Sequence, residues 1–160
     1  MTDTPTASNV LPFQKIEARR PSSTERIWGK AVVSHGYTGI PSILIQDQRR
    51  LRLNPVKMNI IVQLLDYWRE PERQPFPSKK ELADRIGITE KTVQNNIRAL
   101  EKDHLIERRR RYTRHGDPDS NIYDLGGLVG AIQEIEPDFA EARRKKKEAR
   151  IAAERGRRRQ

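Results

Sequence analysis

Apolar residues recur at helical spacing through the middle of the chain and give way to strand-like segments on its C-terminal side. Val56, Ile60, Ile61, Leu64, Leu65 and Trp68 make a broad apolar face that predicts one helix. Asn54-Pro55 opens it, with Asn as cap and Pro at the first helical position, and Glu70-Pro71 closes it. Ser78 and Glu81 have the spacing of a capping box, so a second helix begins at Lys79. Its inner face is Leu82, Ala83 and Ile86, and Gly87 supplies the positive φ that a helix C-terminus favours. Ile88 fills the turn and Thr89 caps a third helix, whose buried positions Val93, Ile97 and Leu100 recur at i, i+4 and i+7. Leu105 and Ile106 then lead into a first strand, Glu107 to Tyr112. A second strand, Ser120 to Leu125, follows the turn-rich His115-Gly116-Asp117-Pro118.

The flanks are patterned differently. Residues 1–25 repeat Thr, Ser and Pro and read as a flexible arm, in which Arg19-Arg20 can touch phosphate or simply stay solvated. Residues 26–50 hold Ala31-Val32-Val33 and Ile43-Leu44-Ile45, interrupted by Gly36, Gly39 and Pro41. These runs look strand-like, and the segment is expected to form a short hairpin or a dimer contact. Residues 51–130 carry the main domain. Leu125, Leu128, Val129 and Ile132 predict a short helix packed back on it, and Pro137 is placed to start another. Residues 131–160 make a basic C-terminal helix or tail: from Asp138 to Gln160 there are ten Lys or Arg against four Asp or Glu. Such a block attracts nucleic acid without choosing a sequence, and it equally suits a solvated helix.

The third helix has chemistry on its outer face. Lys91, Gln94, Asn95 and Arg98 recur at i, i+3, i+4 and i+7, so they share one stripe opposite the apolar one. Lys and Arg pair with guanine edges and Asn and Gln with adenine edges in the major groove. An ordinary polar helix surface has the same composition, and the context decides for base reading. The following strand carries Arg108, Arg109, Arg110 and Arg111. Strand alternation sends Arg108 and Arg110 to one face and Arg109 and Arg111 to the other, so a pair meets solvent. That pair suits phosphate contact, or else a charged edge that blocks strand pairing.

The pattern around Glu81-Leu82-Ala83, Gly87-Ile88-Thr89, Thr92-Val93, Leu100-Glu101 and Leu105-Ile106, followed by Asn121-Ile122-Tyr123-Asp124-Leu125, resembles the bacterial winged helix-turn-helix families. Among these it is most similar to domains in regulators and replication proteins of phages and plasmids. The resemblance spans roughly Leu51 to Val129. It implies an α+β, mostly helical fold: a winged helix-turn-helix domain with a flexible N-terminal arm and a basic C-terminal helix or tail. It further implies a DNA-facing set of Ser78, Lys79, Thr89, Lys91, Thr92, Gln94, Asn95 and Arg98, with Arg108, Arg109, Arg110, Arg111 and Arg114 on the wing. Glu90 also falls at a DNA-facing position, where the helix dipole explains an acid better than a cytosine contact does. The chain departs from many relatives in having Asp103-His104 where glycine commonly follows the recognition helix.

Composition agrees with this. Thirty-two Lys and Arg against 22 Asp and Glu give a formal charge of +10, which points to a polyanionic partner. Cysteine is absent, and His35, His104 and His115 lack metal-ligand spacing, so no metal is expected. No apolar run reaches transmembrane length and no signal-peptide core follows the N-terminus, so a cytoplasmic, nucleoid-associated protein without membrane contact is expected. No phosphate loop or nucleophile and base constellation appears. The expected activity is therefore non-enzymatic and needs no cofactor: sequence-specific binding of double-stranded DNA by a homodimer, as a transcriptional repressor. Binding of repeated origin sites in plasmid or phage replication or partition shares the same chemistry. A protein-interaction module with an RNA-binding tail is the alternative of another class. No motif points to a small-molecule effector.

Overall fold

The computed structural model describes residues 20–157. The chain divides at Tyr37 and Thr38 into two units. The expected N-terminal arm lies outside the described residues as far as position 19.

In the first unit, α1 (Ser23–Trp28) and α2 (Lys30–Ser34) are single helical turns that bury no side chain. A complete capping box opens α1: Ser22 Oγ accepts from the Glu25 N–H at 3.1 Å, and the Glu25 carboxylate accepts from the Ser22 N–H at 2.6 Å. Gly29, at φ 84°, ends α1 and starts α2. The strand expected at Ala31-Val32-Val33 is thus a helical turn, because the Gly29 carbonyl accepts from the Val33 N–H and no strand among the described residues offers the run a ladder.

The second unit holds five helices and a two-stranded sheet: α3 (Ser42–Gln46), α4 (Pro55–Tyr67), α5 (Lys79–Ile86), α6 (Glu90–Lys102), β1 (Glu107–Arg109), β2 (Ile122–Asp124) and α7 (Gly126–Arg157). The second strand-like run is also helical. Pro41 sets the first turn, and the run splits by helical rather than alternating geometry, with Leu44 at 0% and Ile45 at 50% exposure. The expected hairpin is therefore absent from residues 26–50.

The three central helices follow their sequence pattern. Asn54 caps α4 by accepting from the Lys57 N–H at 2.8 Å, and Ile60, Ile61 and Leu64 are fully buried. The helix ends at Tyr67, and Trp68 packs on the core as a partly buried side chain. Leu82 and Ala83 of α5 and Val93, Ile97 and Leu100 of α6 close the core from the other side. Burial of each of these leucine, isoleucine and valine side chains contributes about 1.5–3 kcal/mol. The Ser78–Glu81 box forms only by half. Ser78 Oγ accepts from the Glu81 N–H at 3.1 Å, but the Glu81 carboxylate turns instead to the Tyr67 hydroxyl.

The strands pair antiparallel, with Glu107 opposite Asp124, Arg108 opposite Tyr123 and Arg109 opposite Ile122. They are shorter than the expected runs, and beyond them only a bridge between Tyr112 and Pro118 continues the ribbon. The Tyr123 N–H bonds to the Pro75 carbonyl at 2.8 Å, which ties the α4–α5 connection to β2.

One continuous helix, α7, replaces the two expected on either side of Pro137. Leu128, Ile132, Ile135 and Phe139 lie at i, i+4, i+7 and i+11 and all pack on the core. Packing on both sides of the proline holds the helix together, while the acceptor that proline leaves unpaired, the carbonyl of Gln133, belongs to an exposed residue.

Candidate nucleic-acid interface

The turn between α5 and α6 is built by local chemistry. Gly87 takes the left-handed conformation (φ 76°, ψ 36°), and its N–H bonds to the Ala83 carbonyl. Thr89 caps α6 by accepting from the Thr92 N–H at 3.1 Å, and the two threonine hydroxyls lie 2.9 Å apart. With Val93, Ile97 and Leu100 fully buried, Lys91, Asn95 and Arg98 are driven to the opposite face, where all three are exposed. Gln94 is half-buried beside them. None of these four has a hydrogen bond or ion pair among the described residues. Asn96, outside the expected set, is used internally: its side-chain amide donates to the Thr92 carbonyl at 2.8 Å.

Arg108, Arg109 and Arg111 are all engaged. Arg108 shares the face of the buried Tyr123 and pairs with Glu101 of α6 at 3.1 Å. Arg109 bridges two carboxylates that face each other across the ribbon, Glu107 at 3.3 Å and Asp124 at 2.8 Å. Like charges directly opposite destabilise a strand pair, so Arg109 neutralises a local conflict. Arg111 pairs with Asp119 at 2.6 Å, and its guanidinium lies 4.4 Å from the centre of the Phe76 ring. The Ser120 N–H, together with Arg111, holds the Asp119 carboxyl below the usual carboxylate range. Arg110 and Arg114 are exposed and have no partner among the described residues.

Ser78 and Lys79 sit at the start of α5, both half-buried, where they line a shallow cleft with Ser120 and Asn121 of the wing. Ser78 serves as cap, so its hydroxyl is already committed to the Glu81 N–H.

The turn after α6 is supported from several directions. His104 takes the left-handed conformation, φ 56°, in place of the glycine common at this point. Asp103 beside it pairs with Lys57 of α4 at 2.9 Å, and both side chains are largely buried. The same Lys57 ammonium donates to the Arg52 carbonyl at 3.1 Å. Sequence reasoning missed Lys57, Phe76, Glu101 and Asp119. Their charges and rings are visible in the sequence, but their partners are set by tertiary geometry.

Residues 51–106 match the sequence family described as a helix-turn-helix domain. The fold is that of a winged helix-turn-helix domain. The fold is similar to that of the N-terminal domain of DnaD protein from Geobacillus kaustophilus, with a TM-score of 0.50, 16% identity, and coverage of 80% of this chain and 99% of that one. Two looser likenesses are a possible transcriptional regulator from Methanosarcina mazei and MepR of S. aureus, solved as a complex with DNA. The first has a TM-score of 0.43 and 19% identity over 66% of this chain and 87% of that one. The second has a TM-score of 0.42 and 17% identity over 78% and 92%. No curated protein matches the chain in sequence. In this fold α6 is the second helix of the helix-turn-helix pair, and the ribbon β1–β2 with its loop is the wing. No helix among the described residues is long and apolar enough to cross a membrane, and none of their acidic and histidine side chains cluster as metal ligands.

Proposed function

We propose that the protein is a sequence-specific double-stranded DNA-binding transcriptional regulator that acts as a repressor. The observation that carries this reading is the exposed, unpartnered face of Lys91, Asn95 and Arg98 on a helix whose other side is locked into the core. A side chain with no internal partner reaches a base edge without first breaking a bond. Lys91 and Arg98 supply donors for guanine O6 and N7, and Asn95 supplies the donor and acceptor that adenine requires. Arg110 and Arg114 grip phosphates beside the groove, while the paired wing arginines keep the ribbon in shape. The distal part of α7 adds attraction to the duplex that does not depend on sequence.

One recognition helix reads few base pairs, so a homodimer on an inverted repeat doubles the contacts and mirrors the protein's own symmetry. Repression follows by occupation of a promoter. The test is reversal of charge at Lys91→Glu with Arg98→Glu. Both residues are exposed, so the fold survives, and binding to a preferred duplex is expected to be lost. Retained binding by the folded double variant overturns the reading.

A further inference from the structure

Beyond the duplex, one surface of the molecule combines two chemistries that double-stranded DNA does not use together. An open groove of ≈ 840 Å³ runs between α3 and the middle of α7. Its floor is apolar, made by Ile43 and Phe139, which also pack on the core, with Ala140 and Ala142. Its rim is cationic, made by Arg143, Arg144, Lys146 and Lys147. Elsewhere on α7, Lys145 is paired with Glu141 at 2.6 Å and Arg150 with Glu154 at 2.9 Å. Of the four rim cations, Arg144 lies 4.0 Å from Glu148, and the other three have no carboxylate partner among the described residues, although Glu136 also lines the groove.

We propose that this groove docks an acidic segment of a partner protein that carries apolar residues among its carboxylates. A helix laid into a groove is recognised by apolar anchors on one side and by charge on its flanks. A second copy of the chain is a poor occupant, because it brings the same unpaired cations against this rim and the whole chain carries +10. A duplex satisfies the rim but leaves the floor of Ile43 and Phe139 unused, and a single strand, which could stack on Phe139, has no use for the aliphatic Ile43. An acidic amphipathic segment satisfies both. The groove shares no residue with the α6 face or the wing; its rim lies on the basic helix that the DNA-binding reading uses for attraction, and a peptide assay without DNA keeps the two readings separable.

The experiment uses the full chain without DNA and a synthetic probe peptide of glutamates with leucines at helical spacing, followed by fluorescence anisotropy. A control peptide has serines in place of the leucines, and polyuridylate and phosphatidylserine vesicles stand for other anionic surfaces. The leucine peptide is expected to bind and the serine peptide to bind much more weakly. Lys146→Glu with Lys147→Glu, both exposed, is expected to weaken the leucine peptide about tenfold, as two contacts of roughly 0.7 kcal/mol each would. Ile43→Ser is expected to reduce binding of the leucine peptide alone. Equal binding of the two peptides, or an affinity unchanged by the double charge reversal, overturns the proposal. So does tighter binding of polyuridylate or vesicles that is lost in the same double variant, since this reassigns the groove to a phosphate polyanion.

Discussion

Alanine at Gly127 places a methyl group where the backbone of His104 already stands. A Cβ built there lies 2.0 Å from the His104 carbonyl oxygen and 3.0 Å from its carbonyl carbon, whereas ordinary contact begins at 3.4 Å. The turn must therefore retreat by about 1.4 Å, the difference between those distances. It has little freedom to do so. The Leu105 carbonyl accepts from the Leu128 N–H at 2.7 Å, His104 is held in the left-handed region, and Asp103 is tied to Lys57. Overpacking against backbone costs about 3 kcal/mol at the upper end of the usual range, offset by up to roughly 1 kcal/mol for replacing glycine in a helix. The expected net loss is about 2 kcal/mol, or a fall in melting temperature of roughly 8 °C for a domain of this size. Gly130, one turn further along α7, is the control, because a Cβ there meets nothing within 4 Å. Gly130→Ala is expected to gain up to about 1 kcal/mol. Thermal unfolding by far-ultraviolet circular dichroism separates the two variants. Equal melting temperatures, or a stabilised Gly127→Ala, would refute the close approach of α7 to the turn after the recognition helix.

Other substitutions probe the interface and its supports. On a preferred duplex, Arg98→Ala should cost about 1–3 kcal/mol and relax the base preference at one position, whereas Arg110→Ala should weaken all sequences alike and lower the salt slope by about 1; competition binding at several salt concentrations distinguishes them. Lys57→Met keeps the buried stem but removes the partner of Asp103 and the donor to Arg52, and should cost about 2–3 kcal/mol in urea unfolding. The Tyr67 phenol is pushed up to about 12, first by burial and then by its hydrogen bond to Glu81. The folded protein thus holds this proton through a pH range in which the unfolded chain, at the ordinary tyrosine value of 10.0, releases it. Its contribution is complete below pH 10 and is lost as pH rises toward 12. Tyr67→Phe should flatten that alkaline loss, measured as melting temperature against pH.

Capping and periodicity made the domain legible before any coordinates. Asn54, Ser78 and Thr89 all cap the helices their positions suggest, and the apolar stripes of α4, α5 and α6 are the buried ones. Ile43-Leu44-Ile45 misled because three consecutive apolar residues fit a strand or a helix equally; the burial of Leu44 alone decides it, and that depends on α7. Pro137 misled because its helix-breaking tendency is local, while packing of Ile135 and Phe139 is not. On the wing, the run Arg108 to Arg111 looks uniform in sequence. Its division into paired and free arginines follows from strand register, which brings Asp124 and Asp119 back to them, and from Glu101 one helix earlier.

The central claim is that α6 reads base sequence, and selection of bound fragments from a random double-stranded library at about 0.15 M salt tests it most directly, since exposed charges are already well screened there. Enrichment of an inverted repeat, lost when Lys91 and Arg98 are reversed in charge, is the expected result. Enriched direct repeats would retain the reading helix but replace the symmetric dimer with an array on repeated sites. Salt-sensitive binding with no enriched sequence would contradict the account, leaving the exposed face of α6 an ordinary polar surface.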